Sequence, residues 1–192
     1  DRDILAKMKA AGCMLCEIGV ETGDQDIMAG LGKRVTLERV RAARKAAQEV
    51  GLPFGALMIL GHPGETWDSA MRTVDLAVEL NAAQTVFGIM VPFPGTRVAE
   101  MARKGEGGYR LIATDWNDYG KQHGNALEFE HLTRVQLELL QAVGYLKVLI
   151  WNRRLGDLLR HLWVYRREGL AVARKLVAGA ARLARVGLRS GR

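Results

Sequence analysis

Short apolar runs alternate, along the first half of the chain, with longer segments in which apolar residues recur every three or four positions. The short runs predict strands over 14–20, 54–60 and 85–91, and the periodic segments predict helices between them. The run over 54–60 is almost wholly apolar, as expected of a strand covered on both faces. Because strands joined by helical crossovers run parallel, the pattern predicts an α/β fold built on a parallel sheet.

Residues with helix-capping chemistry stand at the ends of the predicted helices. Thr36, Thr66 and Thr96 precede helices that we expect to end near residues 50, 80 and 104. A threonine oxygen at that position accepts a hydrogen bond from a backbone N–H of the first turn. Gly12 and Gly51 follow two predicted helices, where a left-handed residue commonly ends the helix.

The pattern changes after residue 105. Residues 105–125 contain Gly, Asp, Tyr and Trp without periodicity and are expected to form a loop. A mostly helical pattern follows over 131–165, and residues 166–192 predict one more helix. We therefore expect an α/β part over 1–105, a loop segment over 106–125 and a helical C-terminal extension with a basic tail over 126–192.

Two Gly/Pro turns, at 61–66 and 92–96, follow the second and third predicted strands. The carboxyl ends of neighbouring parallel strands form one rim of a sheet, and ligands of α/β proteins bind there. Gly61 lets the backbone approach a ligand closely, because it has no side chain. Glu65 either binds a ligand or favours the following helix N-terminus. His62 could act as an acid or base, although a single histidine at a rim is more often structural.

The first and third strand ends supply further candidate contacts. Glu21 and Thr22 close the first strand, where a carboxylate can accept hydrogen bonds from sugar hydroxyls or an amino group. A loop-ordering or helix-capping carboxylate is an equally good interpretation. Phe93 offers an aromatic surface suited to a flat heterocycle such as adenine, and the alternative is that its Pro-Gly neighbours simply form a turn.

Cys13 and Cys16 form a Cys-x-x-Cys pair that invites a metal or redox interpretation. Structural iron and zinc sites usually need four ligands, and the four histidines are scattered along the chain. We therefore expect core cysteines and no metal site within this chain. Two cysteines in an otherwise ordinary composition favour a cytoplasmic protein without disulfides.

The net charge of +7 is concentrated in one region. Residues 151–192 hold 11 Lys/Arg and 2 Asp/Glu, whereas residues 1–150 hold 17 and 19. On a helical projection the tail places apolar residues on one arc and arginines on the opposite one: Val172, Leu176, Leu183 and Val186 against Arg167, Arg174, Arg182, Arg185 and Arg189. Such a helix can contact acidic lipid or nucleic acid, but a surface helix packed by its apolar stripe is the favoured interpretation.

Several motifs stand in register along the chain. A helix ends in a Lys-x-Ala-Gly-Cys turn at 9–13, and a strand over 18–23 has the form Ile-Gly-x-Glu-Thr-Gly. Lys33 and the helix led by Thr36 follow, and then the Gly-x-Pro-Gly-Glu-Thr and Pro-x-Pro-Gly-Thr turns described above. Together these segments resemble the radical SAM superfamily, in particular its members with an N-terminal cobalamin-binding domain. The stretch over 144–154 is similar to the helical region that follows the barrel in those members.

The resemblance implies a partial (β/α)6 barrel of the TIM-like kind, of which this chain would hold the C-terminal half, strands four to six. It also implies S-adenosylmethionine (SAM) and a 4Fe-4S cluster, which together generate a 5′-deoxyadenosyl radical that abstracts hydrogen from the substrate. The cofactor-binding residues would be Glu21 and Thr22 near the ribose or methionyl part, Lys33 near the carboxylate, and Gly61, Glu65, Val91 and Phe93 around the adenine.

The family's cluster motif, three cysteines as Cys-x-x-x-Cys-x-x-Cys, does not occur in this chain. Cys13 and Cys16 have the wrong spacing and lie on the wrong strand to replace it. A first residue other than Met, and a helical pattern already under way by Ile4, favour a fragment or a processed chain. We therefore expect the cluster ligands upstream of Asp1, with a degenerate, non-catalytic relative as the less economical explanation.

Three functions follow as hypotheses from the resemblance and the tail. The leading one is the SAM-binding half of a radical SAM enzyme, such as a cobalamin-dependent methyltransferase. Its expected partners are a small-molecule or lipid-like substrate and an electron donor such as a flavodoxin or ferredoxin. The second is a methylthio-transferring relative that modifies tRNA, disfavoured because only helices are predicted after the barrel. The third is a non-catalytic module whose residues 166–192 contact a membrane peripherally or, less favoured, nucleic acid.

Overall fold

A computed structural model describes residues 1–120, 125–167, 169–170 and 174. Its helices and strands follow in the order α1 (Arg2–Ala10), β1 (Cys16–Glu21), α2 (Gln25–Gly30), α3 (Leu37–Val50), β2 (Phe54–Leu60), α4 (Trp67–Leu80), β3 (Gln84–Ile89), α5 (Arg97–Lys104), β4 (Tyr109–Leu111), β5 (Leu127–Phe129), α6 (Arg134–Trp151) and α7 (Leu155–Val164). A 3-10 helix, Trp116–Tyr119, lies between β4 and β5. Within the described ranges, no helix is long and apolar enough to cross a membrane.

The first three strands form one parallel sheet in the order β1-β2-β3. The predicted α/β fold with a parallel sheet is therefore confirmed. The pairing of β1 with β2 is in register from Cys16 opposite Phe54 as far as Gly19 opposite Leu57. A bulge then skips one residue, so that Glu21 lies opposite Met58. Bulges turn a side chain away from its regular direction, and this one acts on the last residue of β1.

The predicted helix starts are confirmed: α3, α4 and α5 begin directly after Thr36, Thr66 and Thr96. The Thr36 hydroxyl accepts a bond from the Arg39 N–H at 3.2 Å. The Thr66 hydroxyl accepts a bond from the Ser69 N–H, and the Ser69 hydroxyl accepts one from the Thr66 N–H, which together form a capping box. Both N–H groups lack a hydrogen-bond partner within the helix itself. At the other end of α3, Gly51 has a φ of 66°. Local chemistry thus determines where these helices begin and end.

In the described part of the chain, helices cover one face of the sheet. Val20, Met58 and Phe87 belong to the buried core, on the face that α3, α4 and α6 cover. On the opposite face Leu57 and Ile59 are half-buried. The prediction that the strand over 54–60 is covered on both faces was therefore wrong for the described residues, although its bounds were confirmed.

Helix α6 also protects the outer edge of β3. The Phe87 N–H donates to the Tyr145 hydroxyl at 3.1 Å, and Gln141 Nε2 donates to the Phe87 carbonyl at 2.5 Å. Gly144 allows this close approach, because a Cβ there would lie 2.9 Å from the Phe87 ring. These bonds occupy backbone groups that an edge strand otherwise leaves unpaired. In the described part of the chain, no strand pairs with the outer edge of β1.

The region predicted as a loop over 105–125 contains regular structure. Strand β4 pairs antiparallel with β5, Tyr109 lying opposite Phe129 and Leu111 opposite Leu127. The prediction was wrong because three-residue strands show no periodicity, and their pairing partner lies 18 or so residues away along the chain. Helix α2 was also not predicted, since six residues show too little periodicity.

The C-terminal region is helical, as predicted, over α6 and α7. The single helix predicted over 166–192 lies almost wholly outside the described residues. The division into an α/β part, a loop segment and a C-terminal extension stays a prediction, since it concerns units of folding rather than individual elements.

Candidate functional site

The carboxyl ends of β1, β2 and β3 lie side by side, because the sheet is parallel and its strands are in register. They carry Glu21, the turn that begins at Gly61, and the turn that begins at Val91. These are the segments in which sequence analysis predicted a site. The structure brings all three to one rim.

Glu21 stands in an unusual backbone conformation at this rim, with a φ of 72°. Left-handed backbone is uncommon for residues other than glycine and is often found at functional sites. Its carboxylate, which is mostly buried, forms an ion pair with the half-exposed ammonium of Lys33. Gly19 leaves room for the pair, since a Cβ there would lie 2.7 Å from Glu21 Oε1 and 3.2 Å from Lys33 Nζ. Two predicted cofactor contacts thus meet each other directly.

Thr22 is fully buried and bonded internally. Its hydroxyl lies 3.2 Å from the Thr73 hydroxyl on α4 and accepts a bond from the Asp24 N–H at 3.1 Å. Asp24 in turn caps α2 and accepts a bond from Arg72 Nε at 2.8 Å. Burial opposes ionisation of Asp24, but the Ile27 N–H and the Arg72 guanidinium lower its pKa. In this conformation the Thr22 hydroxyl fastens the β1–α2 loop to α4.

His62 is buried at the centre of the rim. Among the described residues, neither of its ring nitrogens has a hydrogen-bond partner. Burial lowers the pKa of His62; the backbone and the carboxylate of Glu21 oppose this shift, and the charge of Lys33 adds to it. The imidazole is therefore neutral at pH 7, with one N–H donor and one acceptor nitrogen. A buried polar group without a partner is costly, so this ring is a candidate contact for a polar ligand.

Glu65 stabilises the turn that begins at Gly61, which we call the first turn, from a position within that turn. The turn that begins at Val91 is the second turn. Its Oε2 accepts bonds from the N–H groups of Gly61 and His62, the second at 3.4 Å. Within the described ranges, its other oxygen, Oε1, is buried and has no partner. Burial raises the pKa of Glu65 to about 7, although the two N–H bonds act in the opposite direction. The carboxyl group therefore takes up and releases a proton near neutral pH.

Tyr109 holds the same turn from the other side. Its hydroxyl donates to the Gly61 carbonyl at 2.7 Å, and burial raises the pKa of this hydroxyl, so that it stays protonated. Gly61 has a φ of 89°, and a Cβ there would lie 2.6 Å from the Phe129 ring. A cavity of about 10 Å³, the size of one water molecule, lies between the turn, β4 and β5. Tyr109 was not predicted as a site residue because it falls in the region predicted as a loop.

The second turn is more exposed. Val91 is buried, whereas the Phe93 ring is 39% exposed and stacks on Tyr119 with the ring centroids 6.3 Å apart. The Thr96 hydroxyl donates to the Phe93 carbonyl at 2.6 Å, which closes the turn locally. Phe93 thus keeps an aromatic face available at the rim, as predicted from its position.

Cys13 and Cys16 are free thiols, both half-buried, before β1 and at its first residue. The expectation of core cysteines was therefore wrong in degree, because neither is enclosed. Within the described ranges, no group of three or more His, Cys, Asp and Glu side chains could hold a metal ion.

Residues 1–77 match the family model of the Radical SAM superfamily. This part of the chain, which is less than half of it, is similar to the radical SAM superfamily. The predicted resemblance, which rested on motifs over 9–23 and the two rim turns, is thereby confirmed at the level of the superfamily. The matched range covers β1, β2 and most of α4, and so includes Glu21, Lys33 and the first turn.

Among similar proteins is an uncharacterized methyltransferase of Pyrococcus horikoshii, 29% identical over 139 residues, which are 72% of this chain and 29% of the relative. A tRNA-2-methylthio-N(6)-dimethylallyladenosine synthase of Pelobacter propionicus is 32% identical over 94 residues, or 47% of this chain and 21% of the relative. The chain thus spans less than a third of the length of these curated relatives.

The fold is also found among solved structures. The radical S-adenosylmethionine methyltransferase TsrM of Kitasatospora setae, whose structure contains cobalamin and a 4Fe-4S cluster, superposes with a TM-score of 0.54. The match covers 79% of this chain and 34% of TsrM, at 20% sequence identity. At this identity the similarity shows the fold alone.

Proposed function

We propose that the protein is a radical SAM enzyme and that this chain forms the wall of its barrel that binds SAM. The observation that carries the proposal is the arrangement at the rim, in a chain similar to this superfamily. There an ion pair between Glu21 and Lys33 lies close to His62 and Glu65, two buried side chains with unpartnered polar atoms. Such groups are stabilised when a polar ligand reaches them.

The charges of the rim fit the methionyl part of SAM. That part carries an ammonium and a carboxylate, and Glu21 and Lys33 offer the opposite charge to each. In this proposal the two side chains, which pair with each other in the free chain, exchange that bond for bonds to the ligand. The bulge and the left-handed backbone of Glu21 set the direction of its side chain at this rim.

The two turns fit the adenine and ribose parts. The Gly61 backbone is fixed on both sides, by Glu65 at its N–H and by Tyr109 at its carbonyl. A backbone held in this way presents the neighbouring groups, including the His62 ring, in one orientation. Val91 and the exposed ring of Phe93 supply an apolar surface beside it. Thr22 is left out of the proposed contacts, because its hydroxyl already has internal partners.

The residues of this chain do not fit a 4Fe-4S cluster. The chain has two cysteines, whereas the family's motif uses three. In the described ranges, no His, Asp or Glu side chain forms a possible metal-binding group of three or more with these two thiols. We propose that the cluster ligands lie on a part of the protein upstream of this chain. In that arrangement further strands pair with the free edge of β1 and complete a partial (β/α)6 barrel, of which β1, β2 and β3 are strands four to six.

The reaction class is a further part of the proposal. The similarity to a methyltransferase over 139 residues, and the fold shared with TsrM, favour methyl transfer with cobalamin to a small-molecule or lipid-like substrate, with a flavodoxin or ferredoxin as electron donor. Methylthio transfer to tRNA is the second candidate, because a 94-residue segment is 32% identical to such a synthase. Consumption of SAM that requires tRNA would favour the second candidate. Consumption that requires a small-molecule or lipid-like substrate would favour the first.

The test is calorimetric binding of SAM to the complete protein, comparing the wild type with Glu21→Gln and with Glu17→Gln as a matched control. Glu17 is exposed on the same strand and lies near the end of β1 opposite the rim. A charge-assisted bond is worth about 1.5–3 kcal/mol, so Glu21→Gln should weaken binding about tenfold or more and Glu17→Gln should leave it unchanged. Unchanged affinity in Glu21→Gln would remove Glu21 from the site. No SAM binding by the wild type would contradict the proposed function as a whole.

A further inference from the structure

Helix α7 presents large apolar side chains to solvent. Leu155, Leu159, Leu162 and Trp163 are between 50% and 70% exposed. They recur at i, i+4, i+7 and i+8, which places them in one stripe along the ten-residue helix. An apolar stripe of this kind ordinarily packs against another element, and an exposed one indicates a binding surface. We call it the α7 stripe.

Arginines lie along and beside the α7 stripe. Arg160 and Arg167 flank it at helical spacing, and the Arg166 guanidinium lies over the Trp163 ring, 4.6 Å from its centroid. Residues 151–167 hold five arginines and one acidic residue, Asp157, which is ion-paired with Arg154. The surface therefore combines apolar side chains with an unbalanced positive charge. Charge of this sign fits an anionic partner.

The α7 stripe is remote from the candidate cofactor site. Arg154, at the start of α7, donates to the carbonyls of Ala82 and Ala83 at 2.8 and 3.2 Å. Those residues immediately precede β3, so α7 begins at the end of the sheet opposite the rim. It lies beside β3, whose edge α6 already occupies, and not beside β1, whose edge is free. Completion of a sheet at β1 therefore does not by itself cover the stripe.

We propose that the α7 stripe docks on the surface of an anionic lipid bilayer. Leucine and tryptophan side chains enter the boundary between headgroups and acyl chains, where tryptophan is favoured, and arginines bind lipid phosphates. Arg166, stacked over Trp163, can bury its aliphatic part while its guanidinium reaches the headgroups. The helix lies in the plane of the surface and does not cross it. The proposal does not depend on SAM binding, so the two can fail separately.

The test is flotation of the complete protein with vesicles of phosphatidylglycerol and phosphatidylcholine, and with vesicles of phosphatidylcholine alone. We expect the wild type to bind the anionic vesicles, and raised salt to weaken that binding. A Leu159→Glu/Trp163→Glu variant should lose about tenfold or more of its binding, because each change removes an apolar contact and adds a negative charge. Met14→Glu is the matched control: Met14 is an exposed apolar residue outside the α7 stripe, and binding should be unchanged.

Three outcomes would overturn the proposal. Failure of the wild type to bind either vesicle is the first, and a change of oligomeric state in Leu159→Glu/Trp163→Glu would then make the stripe an interface between protein copies. The second is that the Leu159→Glu/Trp163→Glu variant binds anionic vesicles like the wild type whereas an Arg182→Glu/Arg185→Glu/Arg189→Glu variant does not, which would assign the contact to the C-terminal tail. Salt-sensitive binding to tRNA, without binding to vesicles, would assign the arginines to nucleic acid. Leu159 and Trp163 are both exposed, so the Leu159→Glu/Trp163→Glu variant is expected to fold.

Discussion

The two rim turns look alike in sequence and differ in how the structure holds them. Each follows a strand, contains Pro and Gly, and leads to a threonine that caps a helix. The turn at Gly61 is buried and bonded from two sides, by Glu65 within the turn and by Tyr109 from β4. The turn at Phe93 is exposed and is closed mainly by Thr96 within the turn. Similar local chemistry thus produces a rigid turn and an accessible one.

The difference shows what each turn can contribute to a binding site. A turn fixed by distant residues presents backbone and side-chain groups at constant positions, as specific hydrogen bonding requires. An exposed aromatic ring supplies surface that any flat apolar group can contact. A site that needs both functions can therefore use two turns of the same sequence type, provided that the tertiary structure anchors only one of them.

The largest expected effect comes from adding a methyl group to each turn. Gly61→Ala should destabilise the chain by about 3 kcal/mol or more, because its φ is 89° and the new Cβ would lie 2.6 Å from Phe129. Gly95→Ala should cost only about 1 kcal/mol, because its φ of 82° is equally unfavourable but no atom lies within 4 Å of the new Cβ. Urea unfolding measures both. Equal losses would show that the first turn is no more tightly held than the second.

The second prediction concerns pH and separates the buried Glu65 from the exposed Glu100. Burial raises the pKa of Glu65 from 4.5 to about 7, so between these values the folded chain keeps a proton that the unfolded chain has lost. Stability should therefore fall as pH rises through this window, by a total of the order of 3 kcal/mol, and stay low above it. Glu65→Gln should remove this dependence, and Glu100→Gln should retain it. A Glu65→Gln variant with the wild-type pH profile of unfolding would contradict the assignment.

The smallest effect is expected from the hydroxyl of Tyr109. Tyr109→Phe removes only the bond to the Gly61 carbonyl, and should cost about 1–2 kcal/mol because that carbonyl stays buried. It should also weaken SAM binding by the complete protein several-fold, since the first turn becomes less rigid. Tyr119→Phe keeps the ring that stacks on Phe93 and should change neither quantity appreciably. A loss of stability in Tyr109→Phe with unchanged SAM affinity would mean that the anchored turn does not contact the ligand.

Most of the regular structure could be predicted from local patterns. The bounds of β2 and α4, and the caps at Thr36 and Thr66, agree with the prediction, because strand burial and helix capping depend on residues close together in the chain. The hairpin of β4 and β5 could not be predicted in this way. Its strands have three residues each, and its stability comes from packing against the first turn and α5.

The candidate site was predicted by its position and not by its bonds. Glu21, Gly61, Glu65, Val91 and Phe93 were expected at the rim, and the order of strands in a parallel sheet is enough to place their segments there. Lys33 was expected only from the family resemblance, and its ion pair with Glu21 brings it to the rim. Their individual contacts with a cofactor stay predictions. The internal role of Thr22 was not foreseen, since its partner Thr73 lies 51 positions away on another element.

The amino-acid sequence by itself determined the resemblance to the radical SAM superfamily, the parallel α/β order of the first half and the rim on which most of the candidate residues stand. These depend on motifs, periodicity and capping, all of which act over a few residues. Only the tertiary structure decided that Glu21 pairs with Lys33 and that Tyr109 anchors Gly61. Only the tertiary structure showed, for the described residues, which face of the sheet the helices cover and that the α7 stripe is exposed. Each of these depends on contacts, or on uncovered surface, between residues far apart in the chain, and no local pattern encodes such distances.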